Sequence, residues 1–98
     1  MKKLLNCSAK YDNNTLVSYT TKVVEIRNGI IYMYAYRSNT TLSHIRKFAD
    51  VINNESVKTL YRWLIDNKQL CGVYNLNTAE IYSTQNPALA YKIFEEWA

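Results

Sequence analysis

The residues able to do chemistry in this 98-residue chain are few and scattered: one histidine, His44, two cysteines, Cys7 and Cys71, and eight carboxylates. A structural or catalytic zinc site wants clustered Cys/His pairs, which this spacing does not supply, so no metal and no cofactor are expected. Nucleophilic catalysis would need Cys7 or Cys71 beside His44, but no Cys-x-x-Cys pattern or activating helix N-terminus accompanies either thiol. Core packing is the expected role of both. His44 falls about 90° from the apolar stripe of its helix, which predicts a solvated surface residue. The only adjacent acids are Glu95 and Glu96, and successive helical positions diverge by about 100°, so they cannot share a substrate. The chain is therefore expected not to be an enzyme; a hydrolase-like reading would require a pocket joining His44 to Cys7, Cys71 or a carboxylate.

Residues suited to binding are easier to find. Alternation along 30–37 puts Ile30, Tyr32, Tyr34 and Tyr36 on one face of a strand and Ile31, Met33, Ala35 and Arg37 on the other. With Arg27 and Arg37 nearby, the three tyrosines could stack bases as sheet-based RNA binders do. Alternatively one face packs under helices and the other is a Tyr-rich outer face held by cross-strand pairs. Protein contact leaves a different trace. Trp63 lies about 130° and Tyr91 about 120° off the apolar stripes of their helices, where a ring would face solvent. Exposed Trp, Tyr and Arg, Arg62 among them, are the residue types that dominate interface hot spots. Trp63 could also be covered by the C-terminal helix or by a second copy of the chain, a homodimer.

The elements that must position these groups read as α+β. Residues 2–10 suggest a short strand. The run 15–27, TLVSYTTKVVEIR, is rich in β-branched and aromatic residues, and Asn28-Gly29 is the strongest short signal for a hairpin into 30–37. Ser38 to Thr41 offers helix N-caps, after which Leu42, Ile45, Phe48, Ala49 and Ile52 recur at helical spacing. Val57, Leu60, Tyr61, Leu64 and Ile65 mark a second helix. A second, smaller hairpin spans 70–83, and Asn86-Pro87 opens a last helix bearing Ala90, Ile93, Phe94 and Trp97 on one side. The expected architecture is a single domain: an antiparallel sheet, made of an N-terminal three-stranded meander and a second hairpin, with about three helices packed on one face. The helix-helix-hairpin order also permits a winged-helix comparison, although the second helix offers only Lys58, Arg62 and Lys68 for a groove.

Charge adds a direction. Residues 1–50 hold eight Lys/Arg against three acids, net +5, and residues 51–98 hold four against five, net −1. That asymmetry suits an anionic partner on the N-terminal side, although no basic run exceeds two residues. The opening Met1-Lys-Lys-Leu-Leu-Asn-Cys7 lacks the apolar core of a signal peptide, and no stretch reaches the length of a membrane span. The expectation is a cytoplasmic protein with free thiols and no membrane contact.

One stretch goes beyond generic patterning. Residues 18–48 resemble small, mostly uncharacterised domains encoded by phages of AT-rich Gram-positive bacteria. The resemblance is carried by Ser18, Tyr19, Thr21, Val23, the Asn28-Gly29 turn, Tyr32, Ser38, Thr40, Thr41, His44 and Phe48. It implies a phage or prophage origin and no assigned reaction. By size and origin alone, such a chain is similar to the small stoichiometric inhibitors of host machinery, anti-CRISPR proteins among them. The first functional reading is therefore an inhibitor that binds a host protein or a protein–RNA complex, such as a CRISPR effector. The second is a small nucleic-acid-binding or regulatory protein using the basic N-terminal half and the Tyr-rich strand.

Overall fold

Strand-forming residues crowd the first third of the chain, and they build five strands rather than three. The computed structural model describes residues 1–4, 8–35 and 38–98. In chain order come β1 (Lys2–Lys3), β2 (Ala9–Tyr11), β3 (Thr15–Ser18), β4 (Thr21–Arg27), β5 (Ile30–Tyr34), α1 (Asn39–Val51), α2 (Glu55–Asp66), β6 (Cys71–Asn75), β7 (Glu80–Thr84) and α3 (Pro87–Trp97). The strands form one sheet in the order β1 to β7, each antiparallel to its sequence neighbour. The α1–α2 pair interrupts what would otherwise be a hairpin: Tyr34 at the end of β5 faces Cys71 at the start of β6. The class is α+β, an antiparallel sheet with three helices.

The run 15–27 breaks at Tyr19-Thr20, where Ser18 pairs directly with Thr21 and Tyr19 takes a left-handed φ of 57°. A non-glycine residue there costs roughly 1–2 kcal/mol, and nothing in Tyr-Thr advertises a turn. Asn28-Gly29, by contrast, forms the expected turn with φ of 53° and 76°, both positive as a type I′ hairpin demands. The helix starts also follow their signals. Ser38, Asn54 and Asn86 cap α1, α2 and α3, their side-chain oxygens accepting backbone N–H groups of the first turn.

Helix placement differs from the expectation of one covered face. Gly72 faces α2 so closely that a Cβ there would sit 2.9 Å from Leu64 Cδ2. Its neighbours Cys71 and Val73 instead pack with Ala90 and Phe94 of α3. Adjacent strand residues point to opposite faces, so α1–α2 and α3 sandwich the sheet. The reason is visible in β5, where Ile30, Ile31, Tyr32 and Met33 are all buried: a strand without polar alternation needs cover on both sides.

A β-bulge then sets which charges meet. Between Leu16 and Val17 the β3–β4 register slips by one residue, and both Val23 and Val24 fall into the core on the α1–α2 side. Past the bulge, Lys22 shares the α3-side face with Glu25 and Arg27, although strict alternation would put Lys22 opposite them. Among the described residues no helix is long and apolar enough to cross a membrane.

Candidate functional site

Several of the predicted contact residues are spent inside the molecule. Tyr32 is 4% exposed and packs edge-on against Tyr91, ring centroids 5.0 Å apart; burial pushes its pKa up. The Tyr91 hydroxyl donates to Glu25 Oε1 at 2.8 Å. Glu25 also accepts from Lys22 Nζ at 3.0 Å and from Arg27 Nη2, while the Arg27 guanidinium lies 5.0 Å from the Phe94 ring centroid. Burial alone would raise the Glu25 pKa, but the hydrogen bonds from Arg27, Tyr91 and Lys22 outweigh it and hold the carboxyl below its usual value. This hub fastens α3 to β4, its Lys22 and Arg27 side chains engaged with Glu25 yet each 45% exposed at the rim.

Trp63 is half-buried against the first core cluster, and Tyr34 is half-buried between the two clusters. The stacking platform built on Tyr32 and Tyr34 is thus corrected: α3 lies where the bases would go. Trp63 and Tyr91 are likewise not rings left facing solvent, because each helix is wrapped more widely than its apolar stripe suggests. Arg62 is exposed beside Arg46 and Tyr61 at the α1–α2 groove. Tyr36, Arg37 and Cys7 lie outside the described residues. Cys71 is buried, its thiol raised to about 11 by burial, and donates to the Thr84 carbonyl at 3.0 Å.

His44 overturns the surface expectation. It is 3% exposed, as is Ser18, and the Ser18 hydroxyl lies 2.7 Å from His44 Nδ1 with Thr41 Oγ1 3.5 Å from the same hydroxyl. The stripe angle misled because the β3–β4 hairpin reaches over the side of α1. The pair locks hairpin to helix, with the Ser18 hydroxyl buried between them. Cys71 lies on the other face of the sheet, packed against α3. Burial lowers the His44 pKa, and Lys47 adds to the effect. A histidine kept neutral by the fold stabilises fully above its unfolded value of about 6.5 and loses that contribution as pH falls through it toward the folded value. As His44 is the only histidine, urea unfolding between pH 7 and 5 should show stability falling, with a limiting slope of about 1.4 kcal/mol per pH unit. His44→Gln should flatten the curve; a flat wild-type curve would refute the lock.

What remains open is the α3-side face of the first strands. Lys3 pairs with Lys10, Lys10 with Val17, and Val17 with Lys22, and directly paired residues project from one face. The other face of these strands carries Ala9 and Leu16, buried in the first core, and Tyr11, whose ring meets Phe48 of α1 edge-on at 6.1 Å. Helix α3 packs on β5, β6 and β7 and meets the row only at Lys22, whose Nζ lies 5.8 Å from the Tyr91 ring centroid, leaving Lys3 and Lys10 uncovered. At about 4.8 Å per strand the row spans about 14 Å, over which one strand of a duplex carries about four phosphates. Lys3 and Lys10 are exposed, and among the described residues neither has an ion-pair partner. Edge lysines discourage sheet-to-sheet pairing, but Lys10 and Lys22 stand on interior strands where that purpose does not apply. Like charges facing each other across strands are destabilising, so the Lys3–Lys10 pair opposes folding.

Beside Lys3 and Lys10, in the β3–β4 turn, stands Tyr19, 62% exposed. It lines a shallow depression with Lys3, Ser8, Ala9, Lys10 and Thr20, and on its other side a second with Thr40, His44 and Lys47. Its ring rests 5.8 Å from the His44 imidazole.

The model of a family of unknown function, DUF8033, matches residues 2–66, from β1 to the end of α2. The chain belongs to that family. No curated protein and no solved structure matches it.

The DUF8033 region holds the lysine row, Tyr19 and the Ser18–His44 lock, whereas Tyr91 and α3 lie beyond it. Sequence reasoning named Arg27 but missed Lys3, Lys10 and Lys22 as a group. They are adjacent only through three hairpins and a bulge, and charge asymmetry was the one signal pointing to them.

Proposed function

We propose that this chain is a small non-catalytic binding module that docks on a nucleic-acid-containing partner through Lys3, Lys10 and Lys22. The observation carrying the reading is the lysine row on the α3-side face, an electrostatic track whose Lys3 and Lys10 are exposed beyond the reach of α3. Such a surface engages phosphates without reading sequence, which suits occupation of a ribonucleoprotein. The resemblance of residues 18–48 to phage-encoded domains supports placing this activity in an inhibitor of host machinery, of which a CRISPR effector is one example.

Salt dependence tests it. Lys3 and Lys10 on phosphates, with Lys22 engaged by Glu25, give a slope of log K against log salt of about −1.4 for a single strand, at about 0.7 per contact. Fluorescence anisotropy with a labelled oligonucleotide, titrated across moderate salt, should show that slope. The Lys3→Ala/Lys10→Ala double variant should bind more weakly and flatten it by about 1.4. Removing two facing like charges should leave the fold no less stable. Affinity indifferent to salt, or to the double substitution, would remove the reading.

A further inference from the structure

We infer that the lysine row takes single-stranded nucleic acid, with one unstacked base lying on Tyr19. The inference rests on the polyanion reading above and adds the kind of strand and the residue that selects it. Tyr19 is the most exposed of the large apolar side chains, at 62%. It occupies a left-handed position (φ 57°) where glycine or asparagine would be relaxed, as Asn28 and Gly29 are in the very next hairpin. A strained, exposed aromatic with no core to fill is a feature that folding does not select.

Its surroundings give the ring a use. The depression it shares with Lys3 and Lys10 places the ring beside the two cations free to meet a backbone, which is the pairing of aromatic platform and basic groove that single-strand binders employ. The ring is also held in place. One side rests against the His44 imidazole, 5.8 Å between centroids, and His44 is itself fixed by Ser18 at 2.7 Å. In a duplex the bases are stacked within the helix and cannot reach a lone exposed ring; in a single strand or a loop they can.

The test uses the full chain and probes of equal length: oligothymidylate, oligouridylate, an abasic oligomer and a duplex. The wild type should bind a base-bearing single strand about tenfold more tightly than the abasic strand, and the thymidylate and uridylate arms separate DNA from RNA as its source. Tyr19→Gly and Tyr19→Asn, both compatible with the left-handed backbone, should erase that preference while keeping the salt slope, and Tyr19→Phe should retain it. Thermal melting of each variant confirms folding. No preference in the wild type, or a preference surviving in both variants, overturns the inference while a lysine-dependent salt slope leaves the polyanion reading standing. Absence of binding to every probe at low salt sinks both.

Discussion

Phe94→Ala is expected to lower the unfolding free energy by about 3–5 kcal/mol, measured by urea denaturation. Phe94 is fully buried among Ile30, Tyr32, Cys71, Val73 and Ala90, and its ring lies 5.5 Å from that of Tyr91 and 6.0 Å from that of Tyr32. Among the described residues only α3 covers this face, so no second helix can slide in to fill the cavity, and the loss belongs at the upper end for a large-to-small change. The Arg27 guanidinium would also lose the ring beneath it. For a domain near this size, each kcal/mol moves the melting point by about 4–8 °C, so a drop of well over ten degrees should accompany it. Lys3 and Lys10 stand on β1 and β2, away from α3, so below the new melting point the salt slope of oligonucleotide binding should be unchanged. A loss under about 1 kcal/mol would mean that α3 is not docked against the sheet.

That result would also test the feature least legible in the amino-acid sequence. Signals confined to a few neighbouring residues read correctly: Asn28-Gly29 as a type I′ turn, Asn86-Pro87 as a helix start, the stripes of α1 and α2 as buried faces, except that Ile65 at the end of the α2 stripe is 42% exposed. Features that depend on what comes across from elsewhere did not. Tyr19-Thr20 turns the chain without glycine, asparagine or proline, so the residue pattern suggests one strand where two exist. Tyr32 on a β-rich strand can face water or a helix, and only the fold of residues 87–97 decides. His44 sits off its stripe yet is sealed by Ser18 from a hairpin 26 positions earlier. The lysine row is the extreme case, since Lys3, Lys10 and Lys22 have no periodicity in sequence and become neighbours only through strand register.

The same register makes Glu25 the place where stability and binding should move in opposite directions. Its carboxylate, in a residue only 9% exposed, takes hydrogen bonds from Lys22, Arg27 and Tyr91. Glu25→Ala leaves two cations and a phenol without their acceptor. A fully buried pair broken this way costs about 3–5 kcal/mol, but the Lys22 and Arg27 side chains are each 45% exposed and can turn to water, which brings the expected loss to about 2 kcal/mol. Because the folded carboxyl is held below its usual value, the wild type keeps this contribution above about pH 4.5 and loses it as pH falls through the folded pKa. The variant should lack that portion of the acid-induced decline. Lys22, released from Glu25, then joins Lys3 and Lys10 as an uncompensated charge on the open face. Oligonucleotide affinity should rise several-fold at low salt, and the slope should steepen by up to about 0.7, the contribution of one further phosphate contact. A less stable protein that binds more tightly is hard to produce by general damage. If Glu25→Ala weakened binding in proportion to its loss of stability, Lys22 would not belong to the contact, and the row would shrink to the outer two lysines.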